Sequence, residues 1–222
     1  MEDMHIHIRD ILDEKITIEE LLLSLKNHGI NKVCLLEHGL RVSPKHEGIL
    51  VSDEAYKLFV DKINKISSQS TDIKVYSGIE IDYSDNLEFN KIVSDYINKH
   101  KFDYIVGGVH GYRFDNSRDY FTFVMSMVEN ARINVLAHLK MYEDWFKYKE
   151  LLVKIVKLCR DNNVVIEINT SNRSIWNSEQ MEYMLDIMSK YNVDYSIGSD
   201  AHHIDEIAIN YELIPQRIAR GE

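Results

Sequence analysis

The sequence predicts an α/β fold on a parallel sheet, and three observations carry that reading. Apolar strand-like runs alternate with amphipathic helical patterns along the whole chain, the order that builds βα units. The 222 residues are 45% hydrophobic and 28% charged, with two prolines and nothing resembling a linker, so the apolar material suits one core and one domain. His, Asp and Glu side chains stand where strand-like runs stop, and the C-terminal strand ends are the face where parallel barrels assemble sites. Seven βα units point to a seven-stranded barrel, although an open sheet would share the same local pattern.

The first strand spans residues 3–8. A helix over 17–28 follows: Thr17-Ile18-Glu19-Glu20 has the capping-box pattern, Ile18, Leu21, Leu22 and Leu25 share a face, and Gly29 ends it. Lys32-Val33-Cys34-Leu35-Leu36 is the second strand, and a polar loop with Pro44 and Gly48 leads to a helix from Ser52, an N-cap type, to about 67. Strand three covers 73–81, its helix 87–99, and strand four 104–106, after which Gly107 and Gly108 allow a tight turn before His110. A helix over 118–130 precedes a strand over 133–137, and a long helix over 143–162 precedes a strand over 164–168. A helix capped by Ser178, a strand over 193–197 and a helical segment over 204–213 complete the chain.

Composition narrows the function. A formal net charge of −10 argues against binding along extended nucleic acid, which draws its affinity from clustered Lys and Arg, but leaves a small phosphorylated substrate open. No stretch approaches the ~18 uninterrupted apolar residues of a membrane span. Met1-Glu2-Asp3 has no basic or apolar leader, and Cys34 and Cys159 form no disulfide framework, so a reduced cytoplasm is the expected location.

Nine residues are candidate metal ligands: His5, His7, Asp13, His38, Glu80, His110, His138, Asp200 and His202. In an extended strand His5 and His7 point the same way while Ile6 points to the other side. A lone H-x-H arises by chance, and an aspartate at a helix start reads equally as a cap. The joint pattern is stronger, because His38, Glu80, His110, His138 and Asp200 each end a different predicted strand. Ligands without cysteine suit zinc, manganese or iron rather than a structural zinc knuckle. Glu80 lies within Ser77-Gly78-Ile79-Glu80-Ile81-Asp82-Tyr83, where an unpaired acid is costly to bury; a carboxylate bridging two ions resolves that cost, and a solvent-facing acid is the alternative. Asp82 alternates onto the same face as a supporting group. His28 and His100 read as surface residues and His46 as a loop residue.

The blocks His5-Ile6-His7, Leu36-Glu37-His38, Gly78-Ile79-Glu80-Ile81-Asp82-Tyr83, Gly108-Val109-His110, Leu136-Ala137-His138, Glu167-Ile168-Asn169-Thr170-Ser171 and Ile197-Gly198-Ser199-Asp200-Ala201-His202 occur in that order over nearly the full chain. Together they resemble the polymerase and histidinol phosphatase (PHP) superfamily, and within it the histidinol-phosphate phosphatase branch. The resemblance implies a distorted, TIM-like (β/α)7 barrel, a single domain over 1–222, and a site for two to three divalent transition metal ions (Zn, Mn or Fe). It assigns one ion to His5, His7, Glu80 and Asp200, a second to Glu80, His110 and His138, and a third to Asp13, His38 and His202, with Asp10 competing with Asp13.

The implied chemistry is phosphate-ester hydrolysis by a metal-bridging hydroxide attacking phosphorus in line. Glu80, Asp200 and His202 carry the catalytic assignments, with Asp200 or His202 handling the leaving-group proton. Arg173, then Arg113, then Arg41 are the expected phosphate holders, since a guanidinium offers phosphate a bidentate fork. The chain then reads as a metal-dependent phosphomonoesterase for a small phosphorylated metabolite, with L-histidinol phosphate its named substrate. A nucleotide phosphatase or exonuclease of the PHP type, an amidohydrolase-like metal hydrolase and an inactive PHP-like binding scaffold are the alternatives.

Overall fold

Seven strands lie side by side in chain order and every neighbouring pair is parallel: β1 (Glu2–His7), β2 (Lys32–His38), β3 (Lys74–Asp82), β4 (Tyr104–Gly108), β5 (Val135–Leu136), β6 (Val165–Asn169) and β7 (Tyr195–Gly198). The ring closes where Ile6 bridges Ala201 in parallel, with His7 N–H donating to Ala201 O at 2.9 Å and Asp200 N–H to His5 O at 2.8 Å. That seam decides between the barrel and the open sheet. The structure, a computed structural model, describes residues 1–13, 15–42 and 48–215, without the side chains of Asp10 and Asp13. The predicted third-ion ligand Asp13, its competitor Asp10 and the loop residue His46 therefore lie outside the described residues.

The helices are α1 (Ile8–Asp13), α2 (Ile18–Asn27), α3 (Asp53–Gln69), α4 (Leu87–Lys99), α5 (Ser117–Asn130), α6 (Lys149–Asp161) and α7 (Ser178–Tyr191). Local chemistry starts them as expected. Thr17 N–H donates to Glu20 Oε2 at 2.7 Å and Glu20 N–H to Thr17 Oγ1 at 3.2 Å, the reciprocal capping box. Ser52 accepts from Ala55 N–H at 3.1 Å and opens α3. Leu21, Leu22 and Leu25 of α2, and Phe59, Ile63 and Ile66 of α3, are the buried faces laid against the sheet.

Several boundaries differ from the sequence reading. α1 was not expected; it follows β1 without a turn, its apolar Ile8 and Ile11 three residues apart and fully buried. The strand expected over 133–137 contracts to Val135–Leu136, although Asn134 N–H to Ile105 O (2.7 Å) and Ala137 N–H to Gly107 O (2.9 Å) carry its ladder bonding past both ends. The helix expected over 143–162 divides into a 3₁₀ turn, Trp145–Tyr148, and α6, and the segment over 204–213 is two 3₁₀ turns, Ile204–Glu206 and Tyr211–Leu213. Asn177, not Ser178, caps α7, accepting from Gln180 N–H at 3.0 Å. Among the described residues no helix is long and apolar enough to cross a membrane.

Two apolar clusters divide the interior. The larger lies between sheet and helices; the smaller joins Met4, Cys34, Leu36, Val106, Val135 and Ala137. Strand alternation puts Cys34, Leu36 and His38 on one face, so this smaller cluster plugs the barrel interior beneath the polar groups at the C-terminal strand ends.

Candidate functional site

The strand ends bring eight of the nine predicted ligands together. His5 and His7 are fully buried with their Nε2 atoms 3.2 Å apart, as the alternation of β1 requires. Asp200, after β7, sets Oδ1 3.4 Å from each of those nitrogens. Glu80 on β3 is the hub. Its Oε1 lies 2.8 Å from His138 Nε2 and 3.4 Å from His110 Nε2, while Oε2 lies 2.7 Å from His38 Nδ1, 3.5 Å from His7 Nε2 and 3.8 Å from His5 Nε2. Three groups have donor atoms all within 4.8 Å of one another: His5, His7 and Asp200; Glu80, His110 and His138; and His7, His38 and His202. His38 and His202 of the predicted third set come together beside His7, while Asp13 lies outside the described residues.

A second layer holds these groups. Asp82 Oδ1 accepts from His110 Nδ1 at 2.8 Å, as its alternation with Glu80 foretold, and Asp82 Oδ2 accepts from Val42 N–H at 2.8 Å and lies 3.5 Å from Arg41 Nε. Glu167 accepts from His5 Nδ1 at 2.7 Å. His202 Nδ1 donates to Asp200 O at 2.9 Å. Gly108 makes the close packing possible: a Cβ there would collide with the His110 ring and sit 2.7 Å from Glu80 Oε1 and 2.9 Å from His138 Cε1. His138 (φ +32°) and Asp200 (φ +55°) adopt left-handed backbone conformations that few residues other than glycine take up.

Burial and charge set opposed protonation states. Burial acts to lower the His5 pKa, but the carboxylates of Glu167, Asp200 and Glu80 outweigh it and push His5 up to about 10. For His7 burial prevails and its pKa falls well below the ordinary value, leaving a neutral ring against cationic His5. Burial also lowers His110; at His138 it is overcome by the hydrogen bond and charge of Glu80, which raise the pKa. Burial would raise Glu80, yet His110, His38 and the His138 hydrogen bond hold it well below the usual carboxylate range, and Asp200 is lowered against burial chiefly by His5.

The three predicted phosphate-binding arginines are placed unequally. Arg173 and Arg113 are exposed, and no described contact ties either to the cluster. Arg41, expected third, has a side chain only 10% exposed beside Asp82. His28 is exposed as expected, but His100 is not a surface ring: its side chain is 7% exposed, packed between Tyr56 and Tyr96 and bonded to Asp53 at 3.1 Å. Glu167 was missed as a site residue. Its signal was the same one that marked Glu80, an acid inside the apolar run Val164-Val165-Ile166-Glu167-Ile168.

The profile of the PHP domain family matches residues 3–171. A "Probable histidinol-phosphatase" from Clostridium acetobutylicum is 28% identical, with 95% of this chain and 89% of that protein covered. Another "Probable histidinol-phosphatase", from Thermotoga maritima, is 24% identical over 99% of this chain and 92% of its own length, and a "Probable phosphatase" from Caldicellulosiruptor saccharolyticus is 27% identical over 86% and 76%. Among solved structures, the histidinol phosphatase candidate hisK from Listeria monocytogenes superposes with a TM-score of 0.79 at 14% identity, covering 97% of this chain and 100% of that one. A chain of archaeal ribonuclease P solved with mature tRNA shares the fold at TM-score 0.58 and 19% identity, covering 96% and 79%.

Proposed function

The chain belongs to the PHP domain family, and from that premise we propose that it is a metal-dependent phosphoric monoester hydrolase for a small phosphorylated metabolite, with L-histidinol phosphate its first-choice substrate. The observation that carries the reading is the two-sided presentation of Glu80, whose oxygens face different histidines at 2.7–3.8 Å within a buried site. The names of three relatives supply the phosphatase class, and those of two supply the substrate.

The donor set fits divalent transition ions. His7 Nδ1, His38 Nδ1 and Glu80 Oε2 are buried without a hydrogen-bond partner, an arrangement that is costly unless something else satisfies them. His38 Nδ1 and Glu80 Oε2 lie 2.7 Å apart yet out of line for a hydrogen bond. Imidazole and carboxylate donors without thiolate suit Zn, Mn or Fe. His5, His7, Asp200 and Glu80 would hold one ion, Glu80, His110 and His138 a second, and His38 and His202 would contribute to a third. Bound there, such ions lower the pKa of water and neutralise charge developing on a transferring phosphoryl group.

The remaining steps belong to the chain's own side chains. The least buried edge of the cluster, formed by His202 (35% exposed), His110 (22%), Asp200 (21%) and His38 (16%), is the face open to substrate. His202 donates Nδ1–H inward to Asp200 O, which leaves Nε2 for either an ion or the proton passed to the departing alkoxide, the two roles excluding each other. Arg41 is the phosphate holder: its Nε lies 3.5 Å from Asp82 Oδ2 beside the cluster, and a guanidinium offers phosphate a bidentate grip.

A phosphate-release screen over sugar, amino-alcohol and nucleotide monophosphates with manganese or zinc, run beside amide and lactam hydrolysis, tests the reading. Release from histidinol phosphate with two or more metal equivalents per chain supports it. Fewer than two equivalents, or amide hydrolysis without phosphate release, rejects it, and preference for a nucleotide moves the substrate assignment.

A further inference from the structure

Glu167 belongs to none of the three donor groups, yet it touches two of them. From β6 its Oε1 accepts the Nδ1–H of His5 on β1 at 2.7 Å, and its Oε2 accepts the backbone N–H of His138, beyond β5, at 2.8 Å. Asn169, two residues along the same strand, donates Nδ2–H to Oε2 at 2.9 Å. To reach β1 the carboxylate must pass β7, and it does so at Gly198, where a Cβ would collide with Glu167 Oε1 and lie 2.6 Å from His5 Cβ. The side chain is 1% exposed, so both contacts are charge-assisted bonds shielded from water.

We propose that Glu167 is the positioning residue shared by the His5–His7–Asp200 and Glu80–His110–His138 groups, orienting the ring of one and the backbone of the other. The proposal rests on the metal reading above and goes beyond its ligand sets. A carboxylate only accepts, so Nδ1 of His5 must carry the proton and Nε2 is the nitrogen presented to His7 and Asp200. The second contact acts on the peptide. His138 sits at φ +32°, a conformation that persists only where its surroundings hold it, and the Glu167 bond to its N–H is such a restraint. With the backbone held there, Nε2 of His138 reaches Glu80 Oε1 at 2.8 Å. Asp82 is the one-sided counterpart: among the described residues of the cluster its contact is with His110, at 2.8 Å.

The test is titration of chelator-stripped full-length protein with Co²⁺ alone, comparing wild type, Glu167→Ala, Glu167→Gln, Asp82→Asn and Gly198→Ala. Glutamine keeps the shape but cannot accept from both His5 and His138. Glu167→Ala, which removes both acceptors, should weaken two equivalents together, each by about 10–100-fold, the scale set by groups that orient metal-bound histidines, and Glu167→Gln, which keeps one acceptor oxygen, should weaken at least one. Asp82→Asn should weaken one. Gly198→Ala pushes the intact carboxylate off His5 and should weaken that group's ion even if the glutamine variant folds poorly. The Co²⁺-loaded wild type should also show a shifted, slowly exchanging imidazole N–H resonance that disappears in Glu167→Ala. Unchanged Co²⁺ affinity in Glu167→Gln or Gly198→Ala overturns the proposal, as does loss of only one equivalent in Glu167→Ala. A wild type that binds fewer than two equivalents removes the metal reading itself, and the positioning role with it.

Discussion

Metal loading should expel a proton from His5, and the size of the effect follows from its surroundings. In the metal-free protein the ring donates from Nδ1 to Glu167, with Asp200 and Glu80 close to its other edge, and its pKa is pushed up to about 10. At pH 7 Nε2 is protonated as well as Nδ1, and a metal must displace the Nε2 proton. Three pH units correspond to about 4 kcal/mol set against binding, and affinity should rise about tenfold per pH unit until the His5 pKa is reached. Stability moves the other way. A histidine raised from 6.5 to about 10 stabilises the metal-free fold fully below about pH 6.5, and that contribution is lost as pH rises toward 10. His7 and His110, lowered on folding, are neutral in both folded and unfolded states above pH 7 and add nothing in this window; His138, raised, adds in the same direction. The metal-free protein should therefore lose on the order of 3 kcal/mol between pH 7 and 9.5 from His5. Calorimetric zinc titrations in buffers of different ionisation enthalpy measure the proton count, and urea unfolding of metal-free protein at the two pH values measures the stability. Zero proton release at pH 7, with affinity independent of pH, would refute the reasoning.

Three further outcomes are expected. Glu80→Gln should keep the fold but reduce kcat/KM by at least about 10²–10³-fold, the scale of losing one preorganised electrostatic group; near-normal turnover with Mn²⁺ would rule out a bridging role. Gly108→Ala adds a Cβ 2.7 Å from Glu80 Oε1 and 2.9 Å from His138 Cε1, so bound metal should fall by an equivalent or more while far-UV circular dichroism is unchanged; elemental analysis reads this directly. Arg41→Ala should raise KM for a phosphomonoester about tenfold or more, with Arg173→Ala close to wild type, and the reverse order in steady-state kinetics would restore the arginine ranking expected from sequence.

The fold was legible because its signals are local and repeated. Period-two alternation placed His5 with His7 and Glu80 with Asp82, and strand ends placed His38, His110, His138 and Asp200 on one rim without any knowledge of pairing. What escaped depends on contacts across strands. Nothing within Val164–Ile168 reveals that Glu167 reaches past β7, because that path depends on a glycine thirty-one residues later meeting a histidine on β1. Arg41 ranks third by sequence because Arg173 and Arg113 stand closer to recognisable blocks, and proximity in sequence does not carry the 3.5 Å approach of Arg41 Nε to the Asp82 carboxylate. His100 seemed a surface residue from its lysine neighbours, whereas Tyr56 from α3 and Tyr96 from α4 enclose the ring.

The β7–β1 seam explains why so much of the chemistry gathers at the two ends of the chain. Elsewhere neighbouring strands share ladder registers, as in the seven paired positions between β2 and β3, but here a single bridge closes the ring. Side chains take over where backbone pairing stops: Asp3 Oδ1 accepts from Ser199 N–H at 2.9 Å, and Tyr211 OH donates to Glu2 O at 2.9 Å. Asp3 is fully buried at this junction, and burial raises its pKa to about 6 despite the Ser199 bond, so the seam holds its carboxylate at an energetic cost. Past the end of β7, with its N–H bonded to His5 O, Asp200 takes a left-handed backbone at φ +55° and brings its carboxylate to 3.4 Å from both His5 and His7. A fully laddered β7 would hold residue 200 in extended geometry and deny it that position. The single-bridge closure of the barrel thus leaves room for the His5–His7–Asp200 group, with Asp3 bonded to Ser199 N–H beside it.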